Sequence, residues 1–284
     1  MEVVSKNNVI KVAVIATVIL CIASASYLFY FKPEEKPFTG SGKIDIGGYS
    51  LYIKSAGEGE PTVVFDSGYG MTYTAWYNVL KGIQDQTRTV VYSRAGIGGS
   101  DKSPLDRSCG TKAEELHKLL KAAKFKGPYI LVGHSLGGFD VRLFAAKYPE
   151  EVAGIILVDA SHENQVEQEL KNMTEEEKKR YLEEEKDTAQ YFTSPDGSYE
   201  DLLKSREQVR EVRTAIKDIP LTVIVAQRSI DDTDGLWLEL QQEVASLSTK
   251  SKLVIAEKSG HIVSGDEPEV IIAAILEMIE EVKK

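Results

Sequence analysis

The feature that most restricts how this chain can fold is an apolar strand that runs directly into a serine flanked by glycines. Residues 129–138 read YILVGHSLGG, and a helix-length amphipathic segment follows at 139–149. The spacing G-x-S-x-G suits a tight turn at which strand and helix approach closely and the serine hydroxyl projects from the end of the strand. The amino end of the helix would stabilise negative charge developing there. Ser135 is therefore the candidate nucleophile.

Strand-like runs alternate with helix-length segments through most of the chain. Amphipathic segments at 111–124 and 268–282 carry apolar residues at helical spacing. A hairpin around Gly47-Gly48 comes first, and buried-strand runs follow at 62–65, 89–93, 129–133, 154–159, 221–226 and 252–257. This alternation predicts an α/β fold, with an eight-stranded, mostly parallel, doubly wound sheet whose start is antiparallel.

A long charged segment without a strand-like run separates Asp159 from Leu221. It contains TEEEKKRYLEEEK, which begins with a capping-box pattern at Thr174 and so predicts a helix. Because the segment lies between the sixth and seventh strands, we expect residues from about 163 to 218 to form a helical lid over the strand ends.

The amino-terminal part of the chain contains an apolar run that does not belong to this pattern. Residues 12–31 carry no charge and would span ~30 Å as a helix, which matches the hydrocarbon core of a bilayer. Lys6 and Lys11 precede the run, so we predict a single-pass signal anchor with the following domain outside the cytoplasm. Cleavage of a signal peptide after Ala23-Ser24-Ala25, followed by secretion, is the alternative. The predicted organisation is a tail, an anchor, a linker and a globular domain, at 1–11, 12–31, 32–41 and 42–284.

Composition excludes several classes of partner and cofactor. The formal net charge of -10 argues against nucleic acid as a partner, because nucleic acid needs a basic face. Cys21 lies in the apolar run, which leaves Cys109 without a partner for a disulfide within the domain. The four histidines are scattered and offer no metal-site spacing. We therefore expect no metal and no other cofactor.

Three further motifs, combined with GHSLGG, resemble the α/β-hydrolase superfamily over residues 43–284. They are DSGYG at 66–70, SRAGIGGSD at 93–101 and SGH at 259–261. The second resembles a family signature in which Ser93 replaces the usual aspartate. Its glycines open no helix, so we do not interpret them as a dinucleotide-binding loop. The resemblance implies a serine, acid and histidine in that order along the chain.

A serine hydroxyl needs a general base. His261 follows the eighth strand, which is the position of the base in the family that this chain resembles. The other histidines are less suited. His134 lies inside the tight turn of residues 133–137, here called the elbow, His117 lies in a helical segment, and His162 lies just after the sixth strand.

The acid that orients the base has two candidates. Asp159 ends the sixth strand, a position that some members of the family use. Asp231 follows the seventh strand, where other members place the acid, and Asp232 and Asp234 lie close to it. Either strand end could reach the imidazole, so the sequence favours Asp159 only slightly.

The family resemblance also implies an oxyanion hole of two backbone amides. One belongs to Leu136, directly after the nucleophile, and by position the other belongs to Tyr69. The family usually carries His-Gly in this second loop, whereas this chain has Ser67-Gly68, which leaves the support of the loop to be explained. We expect Trp76 to pack in the core.

These features together predict a serine hydrolase that cleaves a carboxylic ester, either small or lipidic, through an acyl-enzyme on Ser135. Amidase or iminopeptidase cleavage and acyl transfer use the same residues and stay open as alternatives. A serine nucleophile argues against dehalogenase and epoxide hydrolase chemistry, which use an aspartate in this fold. A non-catalytic receptor that retains the pocket is a further alternative.

Overall fold

An eight-stranded sheet forms the centre of the part of the chain that the computed structural model describes, residues 36–191 and 196–284. The strands are β1 Gly40–Asp45, β2 Ser50–Ala56, β3 Val63–Asp66, β4 Thr89–Tyr92, β5 Tyr129–His134, β6 Val152–Val158, β7 Leu221–Ala226 and β8 Ser251–Ala256. Their spatial order is β1-β2-β4-β3-β5-β6-β7-β8. The strand β2 pairs antiparallel with β1 and β4, and the other pairs are parallel. This arrangement confirms the predicted mostly parallel sheet with an antiparallel start.

Helices cover both faces of this sheet. The α-helices are α1 Tyr77–Ile83, α2 Cys109–Ala122, α3 Gly137–Lys147, α4 Gln165–Glu169, α5 Glu175–Tyr191, α6 Tyr199–Glu211, α7 Gln227–Asp231, α8 Leu236–Ala245, α9 Val263–Asp266 and α10 Pro268–Val282. Short 3₁₀ turns occur at Tyr73–Trp76, Pro149–Glu151, Leu170–Asn172 and Arg213–Ile216. Apolar residues of α2, α3 and α8 pack on one face, and those of α1 and α10 pack on the other.

The central strands are buried on both sides, and their side chains alternate between two hydrophobic cores. In β5, Leu131 belongs to the core beneath α2 and α3, whereas Ile130 and Val132 belong to the core beneath α10. This alternation follows from the two-residue period of a strand. It also explains why these strands read as continuous apolar runs rather than as alternating ones.

The segment between β6 and β7 is helical in the residues described, with α4, α5 and α6 as its main elements. Thr174 and Glu177 form the capping interaction at the start of α5, where the Glu177 carboxylate accepts from the Thr174 amide at 2.8 Å. Glu163, which begins the segment, is buried and pairs with Arg142 of α3 and with Arg213. The pair with Arg142 fixes the start of the segment to α3, and the pair with Arg213 joins the start of the segment to its end.

The predicted tail at 1–11, the predicted anchor at 12–31 and residues 32–35 of the predicted linker lie outside the described residues. Residues 36–191 and 196–284 contain no helix with the length and apolar character needed to cross a bilayer. Pro37–Lys284 form one compact unit.

We expect Leu157→Ala to destabilise the domain strongly, because Leu157 lies near the end of the central strand β6 and is fully buried. Such a truncation leaves a cavity and costs about 2–5 kcal/mol in the free energy of unfolding. Leu105→Ala is the matched control, since Leu105 is one of the exposed large apolar residues, and it should change this free energy by less than about 0.5 kcal/mol. Urea unfolding followed by circular dichroism measures both. Equal losses in the two variants would contradict the assignment of Leu157 to the core.

Candidate active site

Ser135 lies at a sharp turn between β5 and α3 and adopts a left-handed backbone conformation, with φ of 52°. The glycines of the motif are required by close approach: a Cβ at Gly133 would lie 2.6 Å from the carbonyl oxygen of Gly137, and one at Gly137 would lie 2.6 Å from that of Asp66. The strained turn is also tied to β6, because the Ser135 amide donates to the Val158 carbonyl at 3.2 Å. The sequence motif therefore folds into the strand–turn–helix that holds the serine at the carboxyl end of β5.

His261 lies in the loop between β8 and α9, and its Nε2 is 3.0 Å from the Ser135 Oγ. Its Nδ1 is 2.7 Å from a carboxylate oxygen of Asp159. Because a carboxylate only accepts, Nδ1 carries the proton and Nε2 is free to accept from the serine hydroxyl. The ring is therefore in the tautomer that a general base for Ser135 requires.

Asp159 is fully buried directly after β6 and accepts hydrogen bonds on both oxygens. One oxygen accepts from His261 and from the Ser229 hydroxyl at 2.7 Å. The other accepts from the Ala226 amide at 2.9 Å and the Trp237 indole at 2.7 Å. Burial alone would raise the pKa of Asp159, but these donors outweigh it and lower the pKa below its ordinary value of 3.8. The carboxylate is thus ionised at neutral pH and directed toward the imidazole.

The structure does not bring Asp231 to His261. The residues after β7 form the short helix α7, and this helix places Asp231 on the exposed surface. There its carboxylate accepts from the Gln227 side chain at 2.8 Å. Asp232 and Asp234 are exposed as well. Of the two acids suggested by the sequence, only Asp159 contacts the imidazole in the part of the chain that is described.

Tyr69 and Leu136 are the two residues whose amides the sequence analysis assigns to an oxyanion hole. Both residues line the same cavity as Ser135. Neither amide donates to a protein acceptor within residues 36–191 and 196–284. Unpaired N–H groups beside a nucleophile can stabilise the negative charge of a tetrahedral intermediate.

The loop that carries the Tyr69 amide is supported by side chains that the sequence did not suggest. The Ser67 hydroxyl accepts from the indole of buried Trp76 at 3.0 Å. Arg94, which is also buried, donates at 2.6 Å to the carbonyls of both Ser67 and Gly68. Arg94 belongs to the motif at 93–101, and that motif could have indicated that Arg94 is functional. The neighbouring sequence did not indicate that Arg94 would contact the loop of Tyr69. These contacts support the loop in the absence of the usual family histidine.

His134 of the elbow helps to position the loop of His261. Its Nε2 donates to the backbone carbonyl of His261 over 2.8 Å. Burial, followed by the neighbouring His261, lowers the pKa of His134 to about 4. His134 is therefore neutral at physiological pH and acts through its hydrogen bond rather than through charge.

A cavity of about 210 Å³ lies beside Ser135 and is covered by the helical segment between β6 and β7. Its apolar wall includes Leu136, Phe139 and Leu202. Its polar lining includes Arg206 and Glu185, which form an ion pair. His162, which follows β6, also lines this cavity.

The described residues contain no cluster of three or more His, Cys, Asp or Glu side chains arranged to hold a metal ion. Cys109 is buried in α2 and has a raised pKa, because it is removed from water and lies near Asp140. The structure therefore assigns the Cys109 thiol no role in the site.

The chain belongs to the alpha/beta hydrolase fold family, whose model matches residues 61–217. It is therefore an α/β hydrolase, as the motifs indicated. Among curated proteins, it is 29% identical over 219 residues to the uncharacterized protein YqjL of Bacillus subtilis, a match that covers 76% of this chain and 83% of YqjL. It is 32% identical to the uncharacterized protein YbdG of the same organism, over 54% of this chain and 48% of YbdG. The chain thus spans about half the length of YbdG.

The fold is also similar to that of a thermophilic esterase from Thermogutta terrifontis. The two structures superpose with a TM-score of 0.65 at 22% sequence identity, over 87% of this chain and 100% of the esterase chain. At this level of identity the likeness concerns the fold.

We expect Trp237→Phe to destabilise the protein in a pH-dependent manner, because it removes a hydrogen bond to the ionised Asp159. Hydrogen bonds to charged groups contribute about 1.5–3 kcal/mol. Since the folded-state pKa of Asp159 is depressed, this contribution is fully present above about pH 4 and is lost as the pH falls through the folded-state pKa. Urea unfolding at a series of pH values from 7 to 3 measures the difference from the unsubstituted chain.

Trp76→Phe is the matched control for this measurement. It also removes a buried indole donor, but its acceptor is the neutral Ser67 hydroxyl. Its effect on the free energy of unfolding should therefore change little between pH 7 and pH 3. A Trp237→Phe effect that is equally independent of pH would contradict the electrostatic role given to Asp159.

Proposed function

We propose that this α/β hydrolase cleaves carboxylic esters of small acyl groups through an acyl-enzyme on Ser135. The observation that carries the proposal is the continuous hydrogen-bonded relay from Ser135 through His261 to Asp159, with distances of 3.0 and 2.7 Å. A serine, an imidazole in the correct tautomer and a buried carboxylate are the parts that acyl transfer to serine requires.

In the first half of the proposed reaction, Ser135 Oγ attacks the ester carbonyl while His261 Nε2 accepts the hydroxyl proton. The carbonyl oxygen becomes an oxyanion, for which the Tyr69 and Leu136 amides are the available donors. Collapse of this intermediate breaks the bond to the alcohol, which leaves with the proton returned by His261. In the second half, His261 Nε2 takes a proton from water as the water oxygen attacks the acyl carbon. The bond from this carbon to Ser135 Oγ then breaks, His261 returns the proton to Oγ, and the acid is released.

The size of the cavity supports a small acyl group. A volume of about 210 Å³ is modest, since it falls below the range of about 300–1,000 Å³ that is typical of pockets for drug-sized ligands. The cavity also reaches the ion pair of Arg206 and Glu185, whose burial against a long alkyl chain would be unfavourable. The similarity of fold to a thermophilic esterase agrees with this substrate class.

We expect the full chain in mild detergent to hydrolyse p-nitrophenyl acetate and butyrate faster than p-nitrophenyl palmitate. Ser135→Ala and His261→Ala should each lower kcat by about 10³-fold or more, and Asp159→Asn by about 10²–10⁴-fold. Asp231→Asn is the matched control, because the residue is an exposed aspartate close in the chain to the site, and it should leave kcat within about twofold. Release of p-nitrophenolate measures each rate.

The same variants test the alternatives. A chain that turns over no ester, and whose Ser135 is not labelled by a fluorophosphonate probe, would contradict the hydrolase proposal and favour a receptor. Faster cleavage of p-nitroanilides than of the matched esters would favour an amidase. Transfer of the acyl group to added alcohol, with little free acid formed, would favour an acyltransferase.

We also propose that residues 12–31 anchor the chain in a membrane, with the hydrolase domain on the extracytoplasmic side. The support is the sequence alone: twenty residues without a charge, preceded by Lys6 and Lys11. Retention of an uncleaved anchor and secretion after cleavage near Ala25 differ in whether an amino-terminal tag stays with the domain.

We expect an amino-terminally tagged full chain to stay in the membrane pellet after carbonate extraction. Ile15→Arg combined with Ile19→Arg should move the protein to the supernatant, because each central arginine costs about 2.5–3.5 kcal/mol in a membrane-spanning helix. Lys6→Arg is the control and should not change the partition. Recovery of an untagged domain in the soluble fraction would contradict the anchor and favour a cleaved signal peptide.

A further inference from the structure

Arg94 is buried beneath the loop that carries the Tyr69 amide, and it is fully occupied by hydrogen bonds. It donates to the carbonyls of Ser67 and Gly68 and to the carboxylate of Asp66. Its Nε and Nη2 also donate to the two carboxylate oxygens of Asp196, at 2.8 and 2.6 Å. A guanidinium with every donor engaged holds its acceptors in one geometry.

Asp196 reaches this position from the segment between β6 and β7, just before α6. It is fully buried. Besides binding Arg94, it accepts from the Gly70 amide at 2.8 Å. The Tyr69 hydroxyl donates at 2.6 Å to the carbonyl of Gly197, the residue that follows Asp196. Asp196 and Gly197, two consecutive residues of the covering segment, therefore bind Gly70 and Tyr69. Tyr69 carries the candidate oxyanion amide, and Gly70 follows it.

The charge of Asp196 is maintained in spite of its burial. Removal from water would raise the pKa of this carboxyl, but Arg94 and Lys112 hold it well below its usual range. The Lys112 Nζ lies 3.4 Å from one Asp196 oxygen. Asp196 therefore acts as an ionised acceptor, which is the form that binds a guanidinium through two oxygens.

We propose that Asp196 is a positioning residue for the oxyanion hole. Through Arg94 and the Gly70 amide, it fixes the loop of residues 67–70 so that the Tyr69 N–H is directed at the carbonyl oxygen of the substrate. Asp196 takes part in no proton transfer and contacts no reacting atom. The inference rests on the proposed function, because it assigns Tyr69 to the stabilisation of an oxyanion formed by Ser135.

This role separates transition-state stabilisation from substrate binding. A misdirected amide weakens the interaction with the oxyanion, which exists only after attack, and leaves ground-state contacts largely intact. Small displacements of a catalytic group cost about 10²-fold in rate. Loss of the Asp196 charge should therefore lower kcat and leave KM nearly unchanged.

The test compares Asp196→Asn with Asp201→Asn in the full chain. Asp201 is an acid of the same segment that caps α6 through Ser198, and among the described residues it forms no hydrogen bond with the loop of residues 67–70. We expect Asp196→Asn to lower kcat for p-nitrophenyl butyrate by about 10–100-fold at nearly constant KM. Asp201→Asn should change kcat by less than about threefold, even where it lowers the melting temperature.

Affinity for a trifluoromethyl ketone measures the oxyanion hole without turnover, since the ketone adds to the serine and leaves an oxyanion in its place. Calorimetric Kd values for this ketone should rise in Asp196→Asn by about the factor by which kcat falls. A Kd unchanged from that of the unsubstituted chain, or an equal rise in Asp201→Asn, would overturn the positioning role. Failure of the unsubstituted chain to hydrolyse any ester would contradict the proposed function instead, and the Kd comparison would still decide the role of Asp196.

Tyr69→Phe provides a second variant that creates no unpaired buried charge. It removes the hydroxyl that donates to Gly197 but keeps the ring and the backbone amide. If Asp196→Asn does not fold, Tyr69→Phe should still lower kcat by about three- to tenfold at unchanged KM, together with a matching rise in the ketone Kd. Values equal to those of the unsubstituted chain would overturn the proposal.

Discussion

The site depends on the close approach of α3 to the backbone that follows β3. At Gly137 no side chain fits, because a Cβ would lie 2.6 and 2.7 Å from the carbonyl oxygens of Asp66 and Ser67. This contact brings the amide after the nucleophile next to the loop that carries the Tyr69 amide. At this contact Ser135 adopts a strained, left-handed backbone conformation. Hydrogen bonds between the elbow and the neighbouring backbone hold Ser135 in that conformation.

Parallel strand pairing then brings together residues that are far apart in sequence. Gly133 of β5 lies opposite Leu157 of β6, so the turn at Ser135 and the buried Asp159 come to the same edge of the sheet. The pairing of β6 with β7 brings the Ala226 amide to Asp159. The pairing of β7 with β8 then places the loop that follows β8, with His261, at the same edge. Carboxyl ends of adjacent parallel strands form the usual position for a site in such a sheet.

The sequence predicted the parts of the site that are encoded locally. The elbow needs only residues 133–137, and the eight strands follow from continuous apolar runs. The choice between Asp159 and Asp231 was harder, because it depends on how the chain folds after β7. There α7 turns Asp231 outward, and Trp237, on the next helix, donates to Asp159. Because Trp237 lies seventy-eight residues from Asp159, the sequence around Asp159 contains no pattern that predicts this hydrogen bond.

The same limit applies to the charges beneath the loop of Tyr69. Three buried carboxyl groups, Asp66, Asp140 and Asp196, surround two buried cations, Arg94 and Lys112. If every group were ionised, one negative charge would be left without compensation. Burial, and then the proximity of Asp140, raises the pKa of Asp66 to about 7, and burial also raises the pKa of Asp140. Both shifts favour the protonated carboxyl and so lower the uncompensated negative charge of the cluster.

The ion pair of Arg94 with Asp196 joins the covering segment to the loop that carries the Tyr69 amide. A buried ion pair whose partner is removed leaves an uncompensated charge, at a cost of about 3–5 kcal/mol. Withdrawal of Asp196 would remove one of the carboxylates that compensate the buried Arg94, and the carbonyls of Ser67 and Gly68 would lose a firmly held donor. The loop and the segment that covers it are therefore coupled by buried ion pairs. A histidine in the loop, which this chain lacks, would not provide that connection.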